Sequence, residues 1–142
     1  MISRLAKFGY EAKISFMDKA ETLKNARNIL LKLHKSMLDL EREMYEGLNG
    51  PVAPAQFVNL LMEDEDFAWL RKFSILIVEI DEMFASKDEI TEEMIDANLL
   101  KVRQLADMTE PDDYFKAKYQ FALQRSPNSA GLQSQLRKAL SE

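Results

Sequence analysis

Apolar residues along this chain recur at steps of three and four, broken by short polar stretches rich in Gly, Pro, Ser and Asp. That pattern predicts helices throughout and no strands. It is strongest from Phe67 to Phe84, where Leu70, Phe73, Ile77, Ile80 and Phe84 line one face and Trp69, Leu76 and Met83 widen it. The stripe covers roughly 140° of the circumference, and Phe67, Ile75 and Val78 lie outside it. A helix apolar on more than one side is surrounded by others or lines an interface, so this one is expected at the centre of an all-α helical bundle.

A second, longer helix is expected from about Asp18 to Gly47. Leu23, Ala26, Leu30, Leu33, Met37, Leu40 and Met44 form a heptad-like seam, and Gly47 with Gly50 supplies the stop. Ile29, Leu31, Leu38 and Tyr45 fall off that seam, which calls for more than one partner helix. Residues 1–16 carry scattered apolar positions interrupted by Gly9. A short helix, a frayed end or an arm fits them, and an arm packing on a neighbour is the expectation.

Further along, Pro54 opens a short helix through Phe57, Leu60 and Leu61. Ser86–Glu89 matches a capping box, and Thr91-Glu92-Glu93 is a second start signal. The next helix carries Met94, Ile95, Leu99, Val102, Leu105 and Ala106 and ends near Met108. Pro111 is expected to open another, bearing Tyr114, Phe115, Tyr119, Ala122 and Leu123. After Ser126-Pro127-Asn128, Leu132, Leu136 and Leu140 give a weak C-terminal helix over 127–142. The expected architecture is one helical domain with about four principal helices and short accessory ones.

Charge changes this picture little. The net charge is −5, and residues 63–96 hold twelve acids against three bases, while residues 1–16 and 101–142 are each mildly basic. An acidic middle argues against a nucleic-acid footprint and suits a basic partner, although such a run is more often a solvated face. There is no cysteine, which excludes thiol catalysis and thiolate metal sites and fits a cytoplasmic chain. Neither a membrane span nor a secretory signal is expected.

Little chemistry is signalled. His34 is the sole histidine, too few for di-iron, hemerythrin-like or imidazole-centred zinc sites. Phosphate-binding glycine loops and a nucleophile elbow are missing, and Glu63–Asp66 does not fit a calcium loop. Glu41, Glu79, Asp81 and Glu93 have no metal-binding spacing. No metal and no cofactor are therefore expected, and an enzyme is the minority reading.

Asp81 stands at the edge of the central stripe, where a carboxylate is expected to be paired or to reach water; the sharper alternative is a ligand-binding acid. If the two main helices pack together, His34, Arg42, Trp69, Arg71 and Asp81 are candidates for one polar cluster.

Two resemblances bear on this. Tyr119, Ala122, Leu123 and Pro127 are similar to the closing part of a tetratricopeptide repeat, but they cover half a repeat and nothing recurs at that period. Leu33-His34-Lys35, Leu38 with Glu41-Arg42, Asn49–Val52, Phe67–Arg71 and Ile77–Glu82 resemble small uncharacterised bacterial helical proteins. The second resemblance implies a bacterial, cytoplasmic protein and carries no mechanism. The expected function is a non-enzymatic protein–protein interaction or regulatory module, self-associating through the long helix or the arm. The alternative is a small-molecule binder or enzyme with a polar pocket between the long and central helices.

Overall fold

The structure is a computed structural model that describes residues 4–141, with the side chains of Arg4, Leu5 and Phe8 outside the description. It is all-α: α1 (Arg4–Asn49), α2 (Pro54–Glu63), α3 (Ala68–Ala85), α4 (Glu92–Asp107), α5 (Asp113–Arg125) and α6 (Pro127–Ser141), with a 3-10 turn at Glu65–Phe67 before α3. No strand occurs among the described residues, and none of their helices is long and apolar enough to cross a membrane.

The hydrophobic pattern becomes the core directly. Leu23, Ala26, Leu30, Leu33 and Met37 of α1 are fully buried, as are Phe73 and Ile80 of α3, and these belong to one continuous cluster with residues of every other helix. The helix α1 packs on α3, α4 and α6, and α3 packs on α1, α2, α4 and α5. Cross-helix pairs fix the directions. Arg27 meets Asp81 while His34 meets Phe73, so α1 and α3 are antiparallel. Lys101 meets Glu79 while Asn98 meets Met83, so α3 and α4 are antiparallel too.

Several boundaries differ from those expected. The helix α1 runs unbroken through Gly9, without a start at Asp18, so the described part of residues 1–16 is the first three turns of α1. Glycine inside a helix costs about 1 kcal/mol, which a helix already nucleated by packing further along can absorb. Gly47 likewise lies inside α1. Termination falls to Gly50, whose φ of 85° is left-handed and whose N–H reaches the Glu46 carbonyl at 2.8 Å.

The Ser86–Glu89 motif does not start a helix. Ser86 closes α3, its Oγ accepts the Asp88 N–H, and Thr91 caps α4 by accepting the Met94 N–H at 3.2 Å. Two start signals stood close together, and the one next to the periodic residues prevails. Pro111 precedes α5, which Asp112 caps by accepting the Phe115 N–H at 3.0 Å. The C-terminal helix lies where it was expected, with Ser129, Leu136 and Leu140 buried, and α6 packs extensively on α1.

Phe73 is the node of the core. It contacts His34 of α1, Trp69 of its own helix, and Phe115 and Tyr119 of α5, with ring centroids 5.3–6.2 Å apart. Phe73→Ala is expected to cost about 3–5 kcal/mol, because the surrounding rings belong to separate helices and close the cavity poorly. Ile75→Ala, at a solvent-facing position two residues on, is expected to stay within about 0.5 kcal/mol. Urea denaturation followed by fluorescence of the sole tryptophan, Trp69, measures both.

Candidate functional site

The five residues singled out from the sequence do not converge on one point. Asp81 pairs with Arg27, accepting Nε on Oδ1 and Nη2 on Oδ2, each at 2.8 Å, across the α1–α3 seam. It lies about 15 Å along α3 from Arg71. Arg42 belongs to the α1–α2 connection, donating to the Val52 carbonyl at 2.9 Å, pairing with Glu46 at 3.3 Å and lying over the Phe57 ring. Glu46 in turn accepts the Val52 N–H. Together they clamp the turn that reverses the chain. Trp69 is buried in the aromatic cluster.

His34 and Arg71 do meet. They line a groove of about 350 Å³ between α1, α2 and α3, together with Leu38, Val58, Leu61, Met62, Leu70 and Ser74. Burial holds the His34 imidazole below its ordinary pKa, opposed in part by the Leu70 carbonyl beside it, so the ring is neutral near pH 7. Arg71 Nε donates to the Leu61 carbonyl at 3.0 Å and Nη2 to the Asp64 carbonyl at 3.4 Å. Its guanidinium thereby caps the carbonyls at the C-terminal end of α2. The walls of this groove were not legible beforehand, because Val58 and Met62 fall outside the buried stripe of α2.

Two buried polar features also escaped the sequence pattern. Ser36 of α1 and Ser129 of α6 share a hydrogen bond of 2.7 Å, and Asn128 donates to Ser36 Oγ at 3.1 Å. Glu41 is buried on α1, and burial raises its pKa, opposed by Lys118 and by the neighbouring Trp69. The Trp69 indole N–H stabilises that carboxylate without reaching hydrogen-bond geometry and is otherwise unpartnered among the described residues. The heptad seam of α1 offered a signal for Glu41, since position 41 follows Leu30, Leu33 and Met37 on nearly the same side.

The other feature is the start of α1. Every described side chain from Ala6 to Ser15 is exposed, and partial burial begins at Phe16 and Lys19. Lys19 bridges to Glu92 at 2.8 Å and Asp96 at 3.1 Å, marking where α4 begins to cover α1. The preceding turns carry Tyr10, Ile14 and Met17 within about 60° of one another, with Tyr10 and Met17 well exposed and Ile14, less so, at the rim of a cleft it shares with Asp96, Leu99 and Arg103 of α4. Lys7 and Lys13 flank them.

Among the described residues no cluster of His, Cys, Asp or Glu is placed to hold a metal ion. Comparison with known protein families, with curated proteins and with solved structures finds no match to this chain.

Two measurements check the electrostatics. Asp81→Ala is expected to cost about 1 kcal/mol, since the Asp81 carboxylate is about half open to water, and that cost should shrink in high salt. Folding raises the Glu41 pKa, so the native state is favoured where the carboxyl is protonated. That advantage fades as pH climbs from the ordinary carboxylate range through the elevated value. Glu41→Gln, neutral throughout, is therefore expected to raise Tm at about pH 7, with the gain shrinking toward about pH 4. A gain that is constant with pH would contradict this.

Proposed function

We propose that this chain is a non-enzymatic interaction module that self-associates through the first turns of α1. One observation carries the reading: a helix that continues about 18 Å beyond the covered part of the bundle, bearing Tyr10, Ile14 and Met17 on a single exposed face. An apolar face on such a stretch is costly to leave in water. Charge supports a second copy as the partner. Residues 1–16 are basic and residues 63–96 are strongly acidic, so the projecting end of one copy complements the acidic part of another. A cytoplasmic location and a bacterial source belong to the same proposal and rest on composition and resemblance alone.

Light scattering after size exclusion at micromolar concentration is expected to return a dimer, and Ile14→Asp combined with Met17→Glu a monomer. Loss of two central apolar contacts should weaken association roughly tenfold or more, and raised salt should weaken it as well. A monomer for the unaltered chain at all concentrations up to about 100 μM would remove self-association.

A second reading, a small-molecule binder, is favoured by the groove at His34 and Arg71. It holds about 350 Å³, near the lower end of ordinary ligand pockets.

A further inference from the structure

The groove between α1, α2 and α3 has a polarity that selects a ligand. Its walls are Leu38 of α1, Val58, Leu61 and Met62 of α2, and Leu70 of α3, with Val58 and Met62 standing substantially open to solvent. At one side sits Arg71, half-buried, with two of its N–H donors engaged by backbone carbonyls and no carboxylate of the described residues paired with it. A guanidinium offers five donors in a planar fork that matches a carboxylate. It is thus a positive charge with spare donors at the edge of an apolar trough.

His34 lies across the same groove in its neutral form and adds no second cation. Ser74 spends its hydroxyl proton on the Arg71 carbonyl at 3.1 Å and offers only acceptor capacity. One cation, apolar walls and no further free donor suit a single negative charge carried on a hydrocarbon. A phosphate or a dicarboxylate would bring charge that nothing here balances.

We propose that this groove binds a small apolar monocarboxylate, with the carboxylate on Arg71 and the tail along Leu38, Val58 and Met62. The proposal rests on the small-molecule reading and adds the ligand class and the orientation. Arg71 also caps the end of α2, so its removal loosens the groove as well as the charge. A blocking substitution at Val58, which touches no hydrogen bond, separates the two effects.

The probes are octanoate, octan-1-ol and octylamine, titrated into the full chain by calorimetry, with thermal melting alongside. Octanoate is expected to bind and to raise Tm, as any ligand of the native state does. Octan-1-ol should bind at least roughly tenfold more weakly and octylamine not measurably, since a charge-assisted bond is lost or reversed. Arg71→Met should abolish the preference for octanoate. Val58→Trp should abolish octanoate binding while its melting temperature without ligand stays near that of the unaltered chain.

Equal affinity for octanoate and octan-1-ol, or a preference surviving in Arg71→Met, overturns the monocarboxylate assignment and leaves the groove as a ligand site. Full octanoate affinity in Val58→Trp overturns the placement in this groove. No binding of any of the three probes at millimolar concentration overturns both the assignment and the small-molecule reading, and light scattering on the same samples keeps self-association a separate question.

Discussion

A helix of 46 residues spans about 69 Å, and the helices packed on it, of 18, 16 and 15 residues, reach no more than about 27 Å each. No single partner can cover α1, and the way its length is shared decides what remains exposed. The bundle of α3, α4 and α6 takes the middle. At the C-terminal end the Arg42–Glu46 clamp on Val52 turns the chain back, and α2 then lies on α3. At the other end none of the described helices packs on the first turns of α1, whose described side chains from Ala6 to Ser15 are exposed. The groove and the exposed first turns both follow from this mismatch: the groove where a ten-residue helix incompletely fills the angle between two longer ones, the exposed turns where none of the described helices packs.

Polar groups on α1 are sorted by the same geometry. Those at the border with α3, Arg27 and His34, find a partner or a neutral state without leaving the surface entirely. On the opposite flank Ser36 meets α6 deep enough that its hydroxyl needs Ser129 and Asn128. Glu41 is the costly exception, a carboxylate whose burial is offset in part by the charge of Lys118 and by the Trp69 indole N–H, with the charge of Asp66 working against it. A buried acid of this kind destabilises the fold relative to a neutral side chain, which gives the Glu41→Gln comparison its sign.

Legibility in the sequence followed the physics of each signal. Periodicity is a property of many residues at once, so the fully buried seam Leu23–Leu30–Leu33–Met37 and the stripe Leu70–Phe73–Ile77–Ile80 were readable from spacing alone. Boundaries depend on single residues in competition. Ser86 and Thr91 each carry cap chemistry, and only the three-dimensional start of the buried stripe decides between them. Gly9 and Gly47 carry breaker chemistry, yet both sit in a helix whose packing over-rides one or two residues of poor propensity. The candidate site was half legible for a related reason. His34 and Arg71 could be assigned to neighbouring helices, but the antiparallel register brings Asp81 to Arg27 instead, and register is not written in either helix by itself.

The outer surface of α1 joins these strands of argument. Tyr10, Met17, Lys24, Leu31, Leu38 and Tyr45 recur every seven residues, and a straight α-helix drifts about 20° per heptad against such a repeat. Five heptads turn the stripe through roughly 100°. Tyr10 and Met17, at 66% and 56% exposure, face away from the bundle; Leu31, at 41%, stands at its margin. Leu38 lines the groove, and Tyr45 packs partly buried beside Phe67. This repeat, apolar except at Lys24, therefore serves the solvent-facing end, the groove wall and the core in succession. A supercoiled partner following α1 along its whole length would keep a seven-residue stripe in register, whereas in this bundle the stripe rotates inward and is most open to solvent over its first turns.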